Sequence, residues 1–206
     1  MARRRFSLKK DSRGVFVSKH FLGIDPELVG VKAYNSGVVR EWWQWIRSSY
    51  KPRSGFFLVT PCSNVKPYTM SPTSRKIKKM LERLGLWNTE APKVEWVYFS
   101  DLLILVPYYR AEEYPACCYD VPPQLVASRR DIIEKIVSET RLVIEALVDR
   151  GLEQVVVFLP KIHLSIWEEA RESAIKWPSQ VIVRYTFFSI RDLEVVVKKL
   201  ASMFLS

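Results

Sequence analysis

Cysteine is scarce in this chain of 206 residues: Cys62, Cys117 and Cys118 are all there is. Two are adjacent, and none stands in a C-x-x-C or Cys/His spacing, which argues against a disulfide framework and against a structural zinc site. No stretch approaches about 18 uninterrupted apolar residues, so no membrane span and no membrane partner are expected. Arg3-Arg4-Arg5 leads into no apolar stretch. A secretory leader is therefore not expected, and a reducing cytoplasm is the expected compartment. There is no internal repeat and no low-complexity tract. Asn and Gln number three and four against 32 Lys/Arg and 22 Asp/Glu, a bias of the thermophile kind. What remains, 48% hydrophobic and 26% charged residues, is ordinary globular material and excludes disorder as the main state. The length suits one domain.

The net charge of +10 is unevenly placed. Residues 1–83 carry 18 basic and 5 acidic residues, a balance of +13; residues 84–206 carry 14 and 17, a balance of −3. A basic amino-terminal part on a near-neutral remainder suggests a polyanion, nucleic acid first. Residues 1–13 read as a basic, disordered tail and 14–206 as one domain with its core over about 55–206.

Val15–Ile24 could be a strand, and Val38–Ser49 a helix whose Trp42, Trp43 and Trp45 are read as core rather than as base-stacking rings. From Gly55 the pattern alternates. Gly55–Thr60 is a continuous apolar run, as in a buried strand. Ser71-Pro72 is an N-cap followed by proline, with Ile77, Met80, Leu81 and Leu84 on one face and Gly85 as the stop. Val94–Val106 holds one strand or two, broken near Ser100-Asp101. Ser128 with Asp131 resembles a capping box opening a helix to Arg150, closed by Gly151. Its buried stripe would be Ile133, Ile136, Val137, Thr140, Ile144 and Leu147. Gln154–Leu159 is a further strand, Ser165 with Glu168 opens a helix ended by Pro178, Val181–Phe187 is a strand and Ser189–Phe204 a last helix. The alternation predicts an α/β fold, a three-layer sandwich with a mainly parallel central sheet.

Such sheets bind ligands beyond the carboxyl ends of their strands. Three polar segments, each opened by a proline, are expected there: Thr60–Ser71, Val106–Arg110 with Glu113–Pro122, and Leu159–His163. The first sets Cys62, Lys66, Tyr68 and Ser71 within ten residues, close to a helix start that would lower a thiol pKa and favour an anion.

Pro61-Cys62, three residues, Lys66-Pro67-Tyr68, two residues and Ser71 resemble the signature of archaeosine synthase and its relatives among the archaeal tRNA-guanine transglycosylases. Val106-Pro107, Glu113-Tyr114-Pro115-Ala116 and Tyr119-Asp120-Val121-Pro122 resemble that family's second motif. The resemblance covers about residues 55–160. It implies tRNA modification at the archaeosine position, with lysine joined to the nitrile of a cyano-deazaguanine base. The chain departs from the pattern in two places: Ser74 stands where the signature has His, and Pro123-Gln124-Leu125-Val126 replaces Thr-Gly-x-Trp. It is also shorter than the multidomain synthase, and no carboxy-terminal RNA-binding module is expected within it. A stand-alone enzyme, a subunit of a split enzyme whose partner carries such a module, and a non-catalytic tRNA-binding paralogue all fit. A uracil-glycosylase-like fold, which also has a Pro/Tyr loop after its first strand, is a further alternative.

The expected site is as follows. Cys62 is a nucleophile that could add to a nitrile, or a structural cysteine. Lys66 binds an anion or carries a proton, or is solvated. Asp120 reads a guanine-like edge and, with Cys62 and Lys66, is expected to be catalytic, unless it is a turn carboxylate. Tyr68, Ser71, Tyr119 and His163 line the substrate; the simplest alternative for Ser71 is an N-cap, and His163 could stand in for the missing family His. Asp101 is a weaker carboxylate candidate. Cys117 and Cys118 are packing residues. Arg75, Lys76, Lys78, Lys79 and Arg83 form a basic helical surface for nucleic-acid phosphate. No metal and no cofactor are expected.

Overall fold

A computed structural model of the chain describes residues 23–88, 90–186 and 189–204. The basic tail and most of the predicted strand Val15–Ile24 lie outside the described residues; Gly23 and Ile24 belong to no strand.

Five strands among the described residues form one sheet: β1 (Phe56–Pro61), β2 (Glu95–Ser100), β3 (Ile104–Pro107), β4 (Gln154–Val157) and β5 (Ser179–Ile182). Their order is β3-β2-β1-β4-β5, with β2, β1, β4 and β5 parallel and β3 antiparallel to β2. Among the described residues six α-helices accompany them: α1 (Gly37–Ser48), α2 (Pro72–Arg83), α3 (Pro123–Ala127), α4 (Arg130–Val148), α5 (Lys161–Glu172) and α6 (Ile190–Phe204). Helix α4 packs against α1 and α5, and α6 against α2. Right-handed crossovers explain this. From β1 through α2 to β2 the chain moves one way along the sheet, and from β4 through α5 to β5 the other way, so the two helices fall on opposite faces. The result is the expected three-layer α/β sandwich. The direction in which the chain adds strands to the sheet reverses between β1 and β4, which are themselves parallel, and this makes the carboxyl edge there the topological switch point.

The central strands are buried on both faces, so β1 and β2 read as apolar runs rather than alternations. Phe56, Phe57, Trp96, Tyr98, Phe99 and Phe158 fill the core. Trp42 and Trp43 belong to it as well. Their indole N–H groups donate to the carbonyls of Leu105 (3.2 Å) and Leu102 (2.9 Å), which ties α1 to the edge hairpin. At the amino-terminal end of β2, Glu95 is fully buried and held by the Arg53 guanidinium at 3.2 Å.

Val94–Val106 holds two strands, broken where expected and joined at Asp101–Leu103, with Ile104 at φ 67. Several other local expectations are corrected. Because β3 runs back, the Val106-Pro107 exit does not reach the carboxyl edge; the following loop returns there only with Tyr119. Ser128 does not open α4. It closes the short helix α3, donating to the Leu125 carbonyl, and α4 starts at Arg130 without a side-chain cap. Helix α5 starts at Lys161, four residues before Ser165, because Pro160 in extended conformation already serves as its N-cap residue. It ends at Glu172, well before Pro178, and β5 lies earlier than Val181–Phe187.

Candidate active site

Three neighbouring strands each deliver one side chain to the carboxyl edge. Cys62 follows β1, and its N–H donates to the Phe99 carbonyl of β2 at 2.8 Å. Asp101 follows β2. His163 lies in the first turn of α5, just beyond β4. Asp101 Oδ2 is 3.9 Å from Cys62 Sγ, and Asp101 Oδ1 is 2.7 Å from His163 Nε2. Asp101 and His163 are buried, and Cys62 is half-buried. Among the described residues this is the one group of three Cys, His or acidic side chains whose donor atoms, within 4.8 Å of one another, could hold a metal ion.

The Asp101 turn is held firmly. Ser100 Oγ accepts from the N–H groups of Leu102 and Leu103, and the Tyr34 hydroxyl donates to the Asp101 carbonyl at 2.9 Å. Ile104, buried and β-branched, sits in the left-handed region at a cost of about 1–2 kcal/mol. Packing and these hydrogen bonds keep it there, and with it the place of Asp101.

Lys66 lies over two rings, its Nζ 4.1 Å from the centre of Tyr68 and 3.6 Å from that of Tyr119. The Tyr68 and Tyr119 hydroxyls are hydrogen-bonded to each other, and Tyr119 also to Ser100 Oγ at 2.7 Å. Burial pushes both phenols well above their usual range. Burial also pushes Lys66 down to about 8, opposed by the charges of Cys62, Asp101 and Asp120.

Cys62 overturns the expected low thiol pKa. Burial and then the Asp101 carboxylate push it up to about 12, and Lys66 opposes them without prevailing. The helix that was to help begins at Pro72, ten residues on. The resting sulfur is a neutral thiol.

The other candidates divide. Ser71 is the N-cap of α2: its Oγ accepts from Ser74 N–H at 3.1 Å and donates to Ser74 Oγ at 2.8 Å. Ser74 also accepts from the Tyr98 hydroxyl at 3.1 Å. Asp120 is exposed. Its backbone pairs with Leu28 and Gly30, and its carboxylate acts as a charge on Lys66. Cys117 and Cys118 are buried. On α2, Arg75, Lys76 and Lys79 are exposed, whereas Lys78 pairs with Glu82 at 3.7 Å and Arg83 with Glu194 at 2.6 Å. Asp101, a secondary candidate in the sequence, is the centre of the cluster. Tyr34 and Ser100 were missed; a polar Ser-Asp pair closing an apolar strand is the signal that marks Ser100.

Residues 39–188 match the family described as a domain of unknown function, DUF5591. The chain belongs to the DUF5591 family. The matched segment contains Cys62, Lys66, Asp101 and His163, so the whole cluster lies inside the DUF5591 domain. The crystal structure of AF0587, a protein of unknown function, is similar in fold, with a TM-score of 0.54 at 19% identity over 80% of this chain and 50% of that one. This DUF5591 chain thus spans about half the length of the solved structure it matches. No curated protein matches it.

Proposed function

We propose that this DUF5591 protein modifies tRNA in the archaeosine pathway, adding an amine to the nitrile of a 7-deazaguanine base. The observation that carries this reading is the convergence of Cys62, Asp101 and His163 at the switch point, with Lys66 beside them. The resemblance of the Pro61–Ser71 segment to archaeosine synthase supplies the substrate class. Cys62 Sγ adds to the nitrile carbon: an S–C bond forms and one π bond of the nitrile opens. The thiol proton passes to Asp101, which His163 orients, and the nitrogen takes a proton from the Lys66 ammonium. The incoming lysine amine then attacks the thioimidate carbon. The C–S bond breaks, sulfur recovers the proton from Asp101, and the amine proton returns to Lys66. Addition and displacement balance without an oxidant, a reductant or a cofactor. Exposed Arg75, Lys76 and Lys79 suit contact with tRNA phosphates, and a partner subunit with an RNA-binding module would add to that contact.

The test is incubation of the protein with tRNA carrying cyano-deazaguanine, with and without lysine. Intact-mass analysis should find a covalent adduct on Cys62 when lysine is withheld, and nucleoside mass spectrometry the lysine adduct of the base when it is supplied. Cys62→Ser should abolish both and leave tRNA affinity nearly unchanged. Tight tRNA binding with neither product would favour a second reading, a non-catalytic binding protein. One observation supports that reading: buried Ser74 stands where the synthase signature has His.

A further inference from the structure

The same three side chains have a second chemistry that the nitrile reaction does not use. We propose that Cys62, Asp101 and His163 bind one zinc-class divalent ion, with a fourth position open and the nucleophile blocked while the ion is bound. Their donors are a sulfur, a carboxylate oxygen and an imidazole nitrogen, each a ligand type that zinc takes. They come from three separate elements, after β1, after β2 and in α5, and their donor atoms lie within 4.8 Å of one another. Tetrahedral zinc with bonds of about 2.3 Å to sulfur and about 2.0 Å to oxygen separates those two ligands by about 3.5 Å. Cys62 Sγ and Asp101 Oδ2 are already 3.9 Å apart. The 2.7 Å hydrogen bond that His163 Nε2 makes to the other oxygen, Asp101 Oδ1, has to give way, because the ion takes the place of its proton on that nitrogen. His163 Nδ1 is buried with no hydrogen-bond partner among the described residues, so no second bond clamps the ring against that adjustment.

Thiolate and carboxylate together cancel the charge of a divalent ion, which suits a site largely closed to water. Lys66 works against it. Its ammonium, held over Tyr68 and Tyr119, acts on both Cys62 and Asp101. Removing that cation should tighten metal binding.

The test uses the full chain with no nucleic acid and no nitrile. Titration with Co(II) should reach one equivalent, with a near-ultraviolet thiolate-to-cobalt band that Zn(II) displaces. Zn(II) should also protect Cys62 from iodoacetamide, read by peptide mass spectrometry. Cys62→Ser, at a half-buried position that tolerates the change, should abolish the band and weaken zinc binding by about 100-fold or more, since even supporting residues around a metal are worth about 10–100-fold. Lys66→Met should strengthen it. Absence of the thiolate band, or zinc affinity unchanged in Cys62→Ser, overturns the proposal and moves any binding elsewhere. Because this readout needs no substrate, failure of the nitrile chemistry leaves it standing, and its own failure leaves the nitrile chemistry untouched.

Discussion

Replacing Asp101 with Asn should make Cys62 label faster and yet stop turnover. The carboxylate stands 3.9 Å from the sulfur. A unit charge at that distance disfavours the thiolate by about 4 kcal/mol at an effective dielectric near 20 and by about 1 kcal/mol in water. Cys62 is half-buried, so about 2 kcal/mol is the reasonable middle, or about 30-fold in thiolate population. A less basic thiolate is also a weaker nucleophile, and a Brønsted slope of about 0.4–0.5 removes roughly half of that gain on a logarithmic scale. Iodoacetamide labelling near neutral pH should therefore rise about fivefold. Turnover on the nitrile should fall by about 100-fold or more, because the acceptor for the thiol proton is gone. The assay is labelling followed by mass spectrometry of the Cys62 peptide, with Cys117 and Cys118 as buried internal references, beside product formation on the same preparations. Slower labelling would refute the electrostatic account, since Asp101 would then be activating the sulfur at rest. Faster labelling with turnover intact would refute its role as proton acceptor.

Lys66, held down to about 8, should make activity decline as pH rises through that value, and Lys66→Arg, whose guanidinium keeps its proton, should lower turnover at every pH rather than rescue the alkaline limb. Between about 8 and the ordinary 10.5 the unfolded chain holds a proton that the folded chain has lost, so Lys66 makes stability rise with pH. Cys62 acts in the opposite sense from 9.0 to about 12, so Lys66→Met should flatten a urea-measured rise between about pH 8 and 9. Arg53→Ala strands the buried Glu95 carboxylate and should cost about 3 kcal/mol in denaturant unfolding. In tRNA binding, neutralising Arg75 or Lys79 should each lower the salt slope by about 1, and neutralising Lys78 or Arg83, already paired with Glu82 and Glu194, by less. Ser74→His should fail to restore a catalytic group: the added volume meets Tyr98 and Ser71, and thermal unfolding should show a loss of about 1–3 kcal/mol.

The parts of the fold legible in the sequence were those set by local chemistry. Ser71-Pro72 is such a case: an N-cap oxygen and a residue with no N–H to satisfy declare a helix start on their own, and α2 begins there. Gly55–Thr60 is another, because only a strand covered on both faces needs so continuous an apolar run. Ser128 with Asp131 and Ser165 with Glu168 carried the same kind of local signal and misled, since each pair lies inside or between helices whose starts are fixed by Pro123 and Pro160. The reversal of β3 was hidden for a different reason. Its turn contains no Gly, Asn or Pro, and the left-handed residue is Ile104, which sequence preference would never place there.

The site divides along the same line. Cys62, Lys66 and Tyr68 lie within seven residues of each other and could be grouped on spacing alone. The group that decides the state of the sulfur, Asp101, is 39 residues from Cys62, and its own partner His163 is 62 residues further on. They meet because the chain leaves β1 in one direction and β4 in the other, so the exits of β2, β1 and β4 become neighbours only in the sheet order. Reasoning from Lys66 alone gives a lowered thiol pKa, whereas burial and Asp101 together give a raised one. A sulfur held as a thiol against a carboxylate reacts only when something accepts its proton, so in the proposed reaction the control would fall to the Asp101–His163 pair rather than to the cysteine.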